Sequence, residues 1–132
     1  MSGTVRFTLA ATTISSPEPR RLADFYARLL GWPVKVATDS WVELSAPDGG
    51  PGLSFHDERA YEPPVWPGQR GQPQMQAHLD IEVSDLERGV AHAVALGATV
   101  ADVQPQDDVR VCLDPDGHPF CLFVRTFERA AT

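Results

Sequence analysis

The sequence predicts an α+β fold made of two βαβββ modules. Three observations carry this. A strand-then-helix pattern occurs once in each half. Each pattern is followed by a meander of short extended runs. Matching Pro-Asp-Gly tracts then sit late in both halves, at Pro47-Asp48-Gly49 and Pro115-Asp116-Gly117.

The elements follow in order. Val5 to Ile14 is rich in β-branched and apolar residues and holds no Gly or Pro, which predicts a strand. Ser16-Pro17-Glu18 has the form of a helix start: a cap, a proline at the first helical position and an early acid. Leu22, Phe25, Tyr26, Leu29 and Leu30 then recur at helical spacing, and Gly31 stops the helix. Short strands are predicted over Val34 to Ala37, Trp41 to Ser45 and Leu53 to His56. In the second half Ala77 to Val83 alternates as a strand. Ser84-Asp85-Leu86-Glu87 reads as a capping box. Leu86, Val90, Ala93, Val94 and Leu96 form an apolar stripe that ends at Gly97. The remaining strands are predicted over Thr99 to Val103, Val109 to Leu113 and Phe120 to Val124.

Asp-Gly between extended runs is a hairpin signal. Asp48 and Asp116 are 68 residues apart, whereas Glu18 and Asp85 at the helix starts are 67 apart. One residue of slippage fits two related modules. Between them, Asp57 to Gln74 holds Pro63, Pro64, Pro67 and Pro73 with Gly68 and Gly71, a composition that suits neither helix nor central strand. Its Tyr61 and Trp66 either cover the edge of the core or form a lid over a pocket mouth. The expected organisation is one domain over residues 1–132, with modules at about 4–56 and 75–127 joined by 57–74.

Bulk properties narrow the function classes. The 132 residues suit one domain, and 42% hydrophobic with 22% charged residues suits a folded core. Formal net charge is −7, and Arg20-Arg21 is the one basic pair, so no phosphate-tracking stripe is visible and nucleic acid is not expected as a partner. No apolar run approaches the ~18 residues of a membrane span. No secretory pattern is visible at the start, so a cytoplasmic location is expected. Cys112 and Cys121 read as reduced thiols rather than a disulfide framework.

Several tracts, in this order and spacing, carry a resemblance. They are Leu22-Ala23-Asp24-Phe25-Tyr26-Ala27-Arg28-Leu29-Leu30-Gly31-Trp32, then His78-Leu79-Asp80-Ile81-Glu82-Val83-Ser84-Asp85-Leu86-Glu87, Leu96-Gly97-Ala98, and Asp114-Pro115-Asp116-Gly117-His118-Pro119-Phe120-Cys121-Leu122. The chain resembles the glyoxalase/bleomycin-resistance/dioxygenase group, the vicinal oxygen chelate superfamily, and within it the glyoxalase-like subgroup. That resemblance implies curved mixed sheets around a cavity, often in a homodimer. It also implies, for the metal enzymes, one ligand on the first and one on the last strand of each module.

By spacing, those ligand positions fall on Ala11, Leu53, His78 and Cys121. Alanine and leucine cannot bind an ion, so no metal cofactor is expected in the ordinary arrangement. Three expectations follow. The first is a metal-free domain that binds a small organic molecule, cationic or aromatic, by sequestration. Its pocket would involve Trp41, Leu53, Phe55, Trp66, His78, Asp80, Cys121 and Phe123. The second is a divalent-metal lyase, isomerase or dioxygenase using zinc, manganese, iron or nickel. If Cys112 faces Cys121 across the last hairpin, both thiols and His78 would form a zinc site with one open position. The third is a metal-independent enzyme with His78 as the acid or base. His118 is expected to be exposed in the turn. His56 lies near a possible pocket mouth.

Overall fold

The computed structural model describes residues 3–125. The chain divides into two compact units, the first reaching Arg59 and the second starting at Ala60. The first contains β1 (Ala11–Ser16), α1 (Pro19–Leu30), β2 (Val34–Ala37), β3 (Trp41–Leu44) and β4 (Gly52–Asp57). The second contains β5 (Leu79–Glu82), α2 (Leu86–Leu96), β6 (Thr99–Val100), β7 (Val109–Leu113) and β8 (Pro119–Phe123). Each unit is thus one βαβββ module. The sheets are ordered β1-β4-β3-β2 and β5-β8-β7-β6. In both, the first strand runs parallel to the last, and the other neighbours are antiparallel. These are the two mixed four-stranded sheets of the glyoxalase/bleomycin-resistance fold. Of the expected second module, residues 126 and 127 lie outside the described residues.

In the first unit α1 packs on β3 and β4. Leu22, Ala23, Phe25 and Tyr26 are buried there with Val42, Leu44, Leu53 and Phe55. The Tyr26 and Phe55 rings stack at 5.8 Å, and Phe25 meets Tyr26 edge-on at 4.9 Å. In the second unit α2 lies against β6, β7 and β8. Ala93, Ala98, Cys112, Phe120 and Leu122 are buried.

Several boundaries differ from the sequence expectation. Residues 5–10 lie outside β1, and Val5, Phe7 and Leu9 are exposed. β4 supplies partners for Ala11 to Ser16 alone, and the Gly52 N–H bond to the Ala10 carbonyl ends the ladder. Next, Ser16 is not a helix cap, because it is still paired with Asp57 in the sheet. Its Oγ accepts from the Glu18 N–H at 2.9 Å, and Pro19 rather than Pro17 opens α1. Glu18 is held at φ −141°, as expected for a residue preceding proline. Lastly, the cap of α2 is Asp85 rather than Ser84, its carboxylate accepting from the Arg88 N–H at 3.0 Å.

β6 ends at Val100 instead of Val103: one more backbone bond runs from the Ala101 N–H to the Val111 carbonyl at 3.0 Å, and the Gln104 side chain takes up the bonding beyond it. The Gln104 amide donates to the Ala101 and Val111 carbonyls and accepts from the Val111 N–H, all at 2.9 Å. Gly52 is required by close approach: a Cβ there would sit 2.3 Å from the Leu44 carbonyl oxygen. The connection carries no helix or strand from residue 58 to 78, and from Ala60 onward it belongs to the second unit.

Candidate functional site

The site begins with β-strand alternation. In-register partners in a sheet share a face. Leu79 pairs with Phe120 and Ile81 with Leu122, and Phe120 and Leu122 are fully buried on the α2 side. Asp80 pairs with Cys121 and Glu82 with Phe123, so these four turn away from the helix. His78 stands two residues before Asp80, and its Nε2 lies 3.1 Å from the Asp80 Oδ1. Donor atoms of His78, Asp80 and Cys121 all lie within 4.8 Å of one another. Burial pushes the Cys121 thiol up to about 11, with the Asp80 charge, a hydrogen bond to Asp80 and the Cys112 thiol adding to the shift. The thiol is therefore neutral near pH 7. Beside it, the Arg125 guanidinium lies 5.2 Å from the Phe123 ring centroid, and its Nε donates to Glu82 at 3.0 Å.

Cys112 does not join this cluster. Leu113 pairs with Pro119 and Cys112 with Phe120, one residue away from the expected register. The hairpin loop is therefore Asp114 to His118. Since a one-residue slip exchanges faces, Cys112 points into the α2 core, fully buried, while Cys121 points away from it. Burial raises the Cys112 thiol, with Arg110 opposing in part. The expected Cys-Cys-His set is corrected to His78, Asp80 and Cys121.

The same register logic reassigns the first unit. Thr13 pairs with Ser54 across 41 residues, the same separation as Asp80 and Cys121. Ser54 is thus the counterpart of Cys121. Leu53 is the counterpart of Phe120, and Leu53 and Phe55 are core residues facing α1 rather than pocket lining. The face turned away from α1 carries Ser15, Trp41, Glu43, Ser54 and His56. Ser15 Oγ lies 2.8 Å from His56 Nε2, and the Trp41 Nε1–H donates to Glu43 at 2.7 Å. Ser15 and Glu43 were not legible as site residues. The signal that could have found them is their even-numbered spacing from Thr13 and Trp41. Glu43, Ser54 and Lys35 line a cavity of about 230 Å³.

The remaining candidates separate. Tyr61 packs on the turn between β7 and β8: its hydroxyl donates to the Asp116 carbonyl at 2.7 Å and its ring lies 5.0 Å from the His118 ring. His118 is only partly exposed, because its Nδ1 meets both oxygens of buried Asp114 at 2.9–3.0 Å. Trp66 lines a separate cavity within the connection.

A four-ligand divalent site does not fit these residues. Where the second unit offers His78, Asp80 and Cys121, the first offers Ala11, Thr13 and Ser54. A methyl group and two hydroxyls are poor partners for such ions.

The profile of the glyoxalase-like domain matches residues 11–123, and the chain belongs to this family. It is similar in fold to a glyoxalase/bleomycin resistance protein/dioxygenase family enzyme from Burkholderia phytofirmans PsJN. That match has 18% identity and a TM-score of 0.70, covering 89% of this chain and 98% of the other. It is also similar to the fosfomycin resistance protein FosX from Mesorhizobium loti, with 13% identity and a TM-score of 0.66, covering 97% and 100%. A glyoxalase/bleomycin resistance protein from Albidiferax ferrireducens T118 has 18% identity and a TM-score of 0.61, covering 88% and 97%. No curated protein matches the chain. Among the described residues no helix is long and apolar enough to cross a membrane.

Proposed function

We propose that this glyoxalase-like chain acts as one domain that binds a small cationic or aromatic molecule, without the four-ligand metal of the family's enzymes. The observation that carries this is the acidic face of the β5–β8 sheet. Asp80, Glu82 and Phe123 present carboxylates beside an aromatic ring, and the Arg125 guanidinium already sits on that ring and on Glu82. A ligand cation would use the same interactions, as charge-assisted hydrogen bonds and a cation–π contact. His78 and the neutral Cys121 thiol supply polar contacts that orient it. The test is a thermal-shift and calorimetric screen of benzamidine-type cations against matched neutral aromatics. A binder at about 100 times its dissociation constant should stabilise the fold by roughly 2.7 kcal/mol. The reading fails if no cation stabilises the protein, or if Asp80→Asn with Glu82→Gln binds as tightly as the wild type.

A second reading rests on the convergence of imidazole, carboxylate and thiol at His78, Asp80 and Cys121. These donors suit a soft cation such as zinc, which would deprotonate the thiol. Elemental analysis of the untagged protein decides it. One zinc per chain, lost in His78→Ala and Cys121→Ser, would replace the metal-free reading. The expected homodimer belongs to the same proposal, supported by the exposed apolar alternation of Val5, Phe7 and Leu9, and sedimentation would test it.

A further inference from the structure

We propose that the connection between the modules holds a second binding site, one selective for planar aromatic carboxylates. The segment from Val65 to Pro73 closes on itself, because the Val65 N–H bonds to the Pro73 carbonyl at 2.9 Å. A turn within it is fixed by the Gln72 N–H to the Gln69 carbonyl at 3.1 Å and by Gly71 at φ +82°. Against this closed loop lies a cavity of about 510 Å³, within the range of roughly 300–1,000 Å³ that small organic ligands occupy.

Its lining is chemically distinct from the rest of the chain. Trp66 and Met75 give it an aromatic and a polarizable apolar wall. Gln69, Gln74 and Gln76 bring carboxamides, and Arg70 brings a guanidinium. The chain has 18 acidic residues and a net charge of −7, yet among the described residues no carboxylate lines this cavity. Arg70 is exposed and makes no ion pair among the described residues. A guanidinium fork receives a carboxylate in two parallel hydrogen bonds, and an indole stacks on the attached ring. The carboxamides accept or donate at the ring's polar substituents. The site thus has the opposite charge preference to the Asp80–Glu82 face, and it stands or falls independently of the function proposed above.

The experiment is calorimetric titration of the full chain with 1-naphthoate and, separately, with 1-naphthylmethylammonium. The anion should bind and the cation should not compete for the same site. Arg70→Gln should weaken naphthoate roughly 10- to 100-fold, the loss expected for hydrogen bonds to a charged group. Arg88→Gln makes the same charge change on an exposed position of α2 and should leave the affinity as it was. Trp66→Leu should weaken binding several-fold, with folding checked by circular dichroism. The proposal is overturned if naphthoate does not bind at millimolar concentration. Displacement of bound naphthoate by the ammonium probe would also overturn it, as would equal effects of Arg70→Gln and Arg88→Gln.

Discussion

Replacing Asp80 with Asn should make the Cys121 thiol react faster with an alkylating reagent. In the folded protein burial raises this thiol from its ordinary value of 9.0 to about 11, with Asp80 contributing through both its charge and its hydrogen bond. At pH 8 a shift of that size leaves about a hundredfold less thiolate than an ordinary cysteine has. Alkylation by iodoacetamide should be slowed by about the same factor. Asp80→Asn removes the anionic neighbour and keeps the burial, so the rate should recover in part, by roughly tenfold. Cys112 is fully buried and does not compete in the folded state. The assay is time-resolved labelling with peptide mapping to Cys121 from pH 7 to 11. Wild-type labelling as fast as an unshifted thiol, or no acceleration in Asp80→Asn, would refute the placement of Cys121 beside Asp80. The same shift has a stability counterpart. The folded state holds the thiol proton to higher pH than the unfolded chain does. The contribution is complete below about 9 and is lost as pH rises to about 11. Cys121→Ser should flatten the denaturation profile in that window.

Other outcomes follow from packing and hydrogen bonding. Phe55→Ala removes a fully buried ring that stacks on Tyr26 and should cost about 3–5 kcal/mol by urea denaturation. Gly52→Ala forces a methyl against the Leu44 carbonyl and should cost about 1–3 kcal/mol, with loss of cooperativity at the β3–β4 pair. Asp114→Ala leaves the Asp116 and His118 N–H groups without their acceptor, and about 1–3 kcal/mol should be lost. Tyr61→Phe deletes the hydroxyl bond to the Asp116 carbonyl, and about 1 kcal/mol should go with it; hydrogen exchange should rise around the 114–118 turn.

The repeated strand–helix–meander, its Gly31 and Gly97 stops and its Asp-Gly turns were legible in the sequence, because periodicity and turn chemistry are local properties. They suffice for the two βαβββ modules, and the resemblance carried by the helix and hairpin tracts pointed to the glyoxalase-like family. His78 and Cys121 were named from the ligand positions that the family resemblance implies, and Asp80 and Phe123 as lining of a cavity beside them. The rest depended on register, which is a pairing between distant segments. A five-residue hairpin loop turns Cys112 inward and leaves Cys121 beside Asp80. The 41-residue pairing of Thr13 with Ser54 makes Ser54, not Leu53, the counterpart of Cys121 and sends Leu53 and Phe55 to the core. The cavity at Trp66 and Arg70 depended on a loop closed by a single backbone hydrogen bond, from Val65 to Pro73. Composition marks such a segment as irregular. Only the folded backbone decides which of its side chains converge.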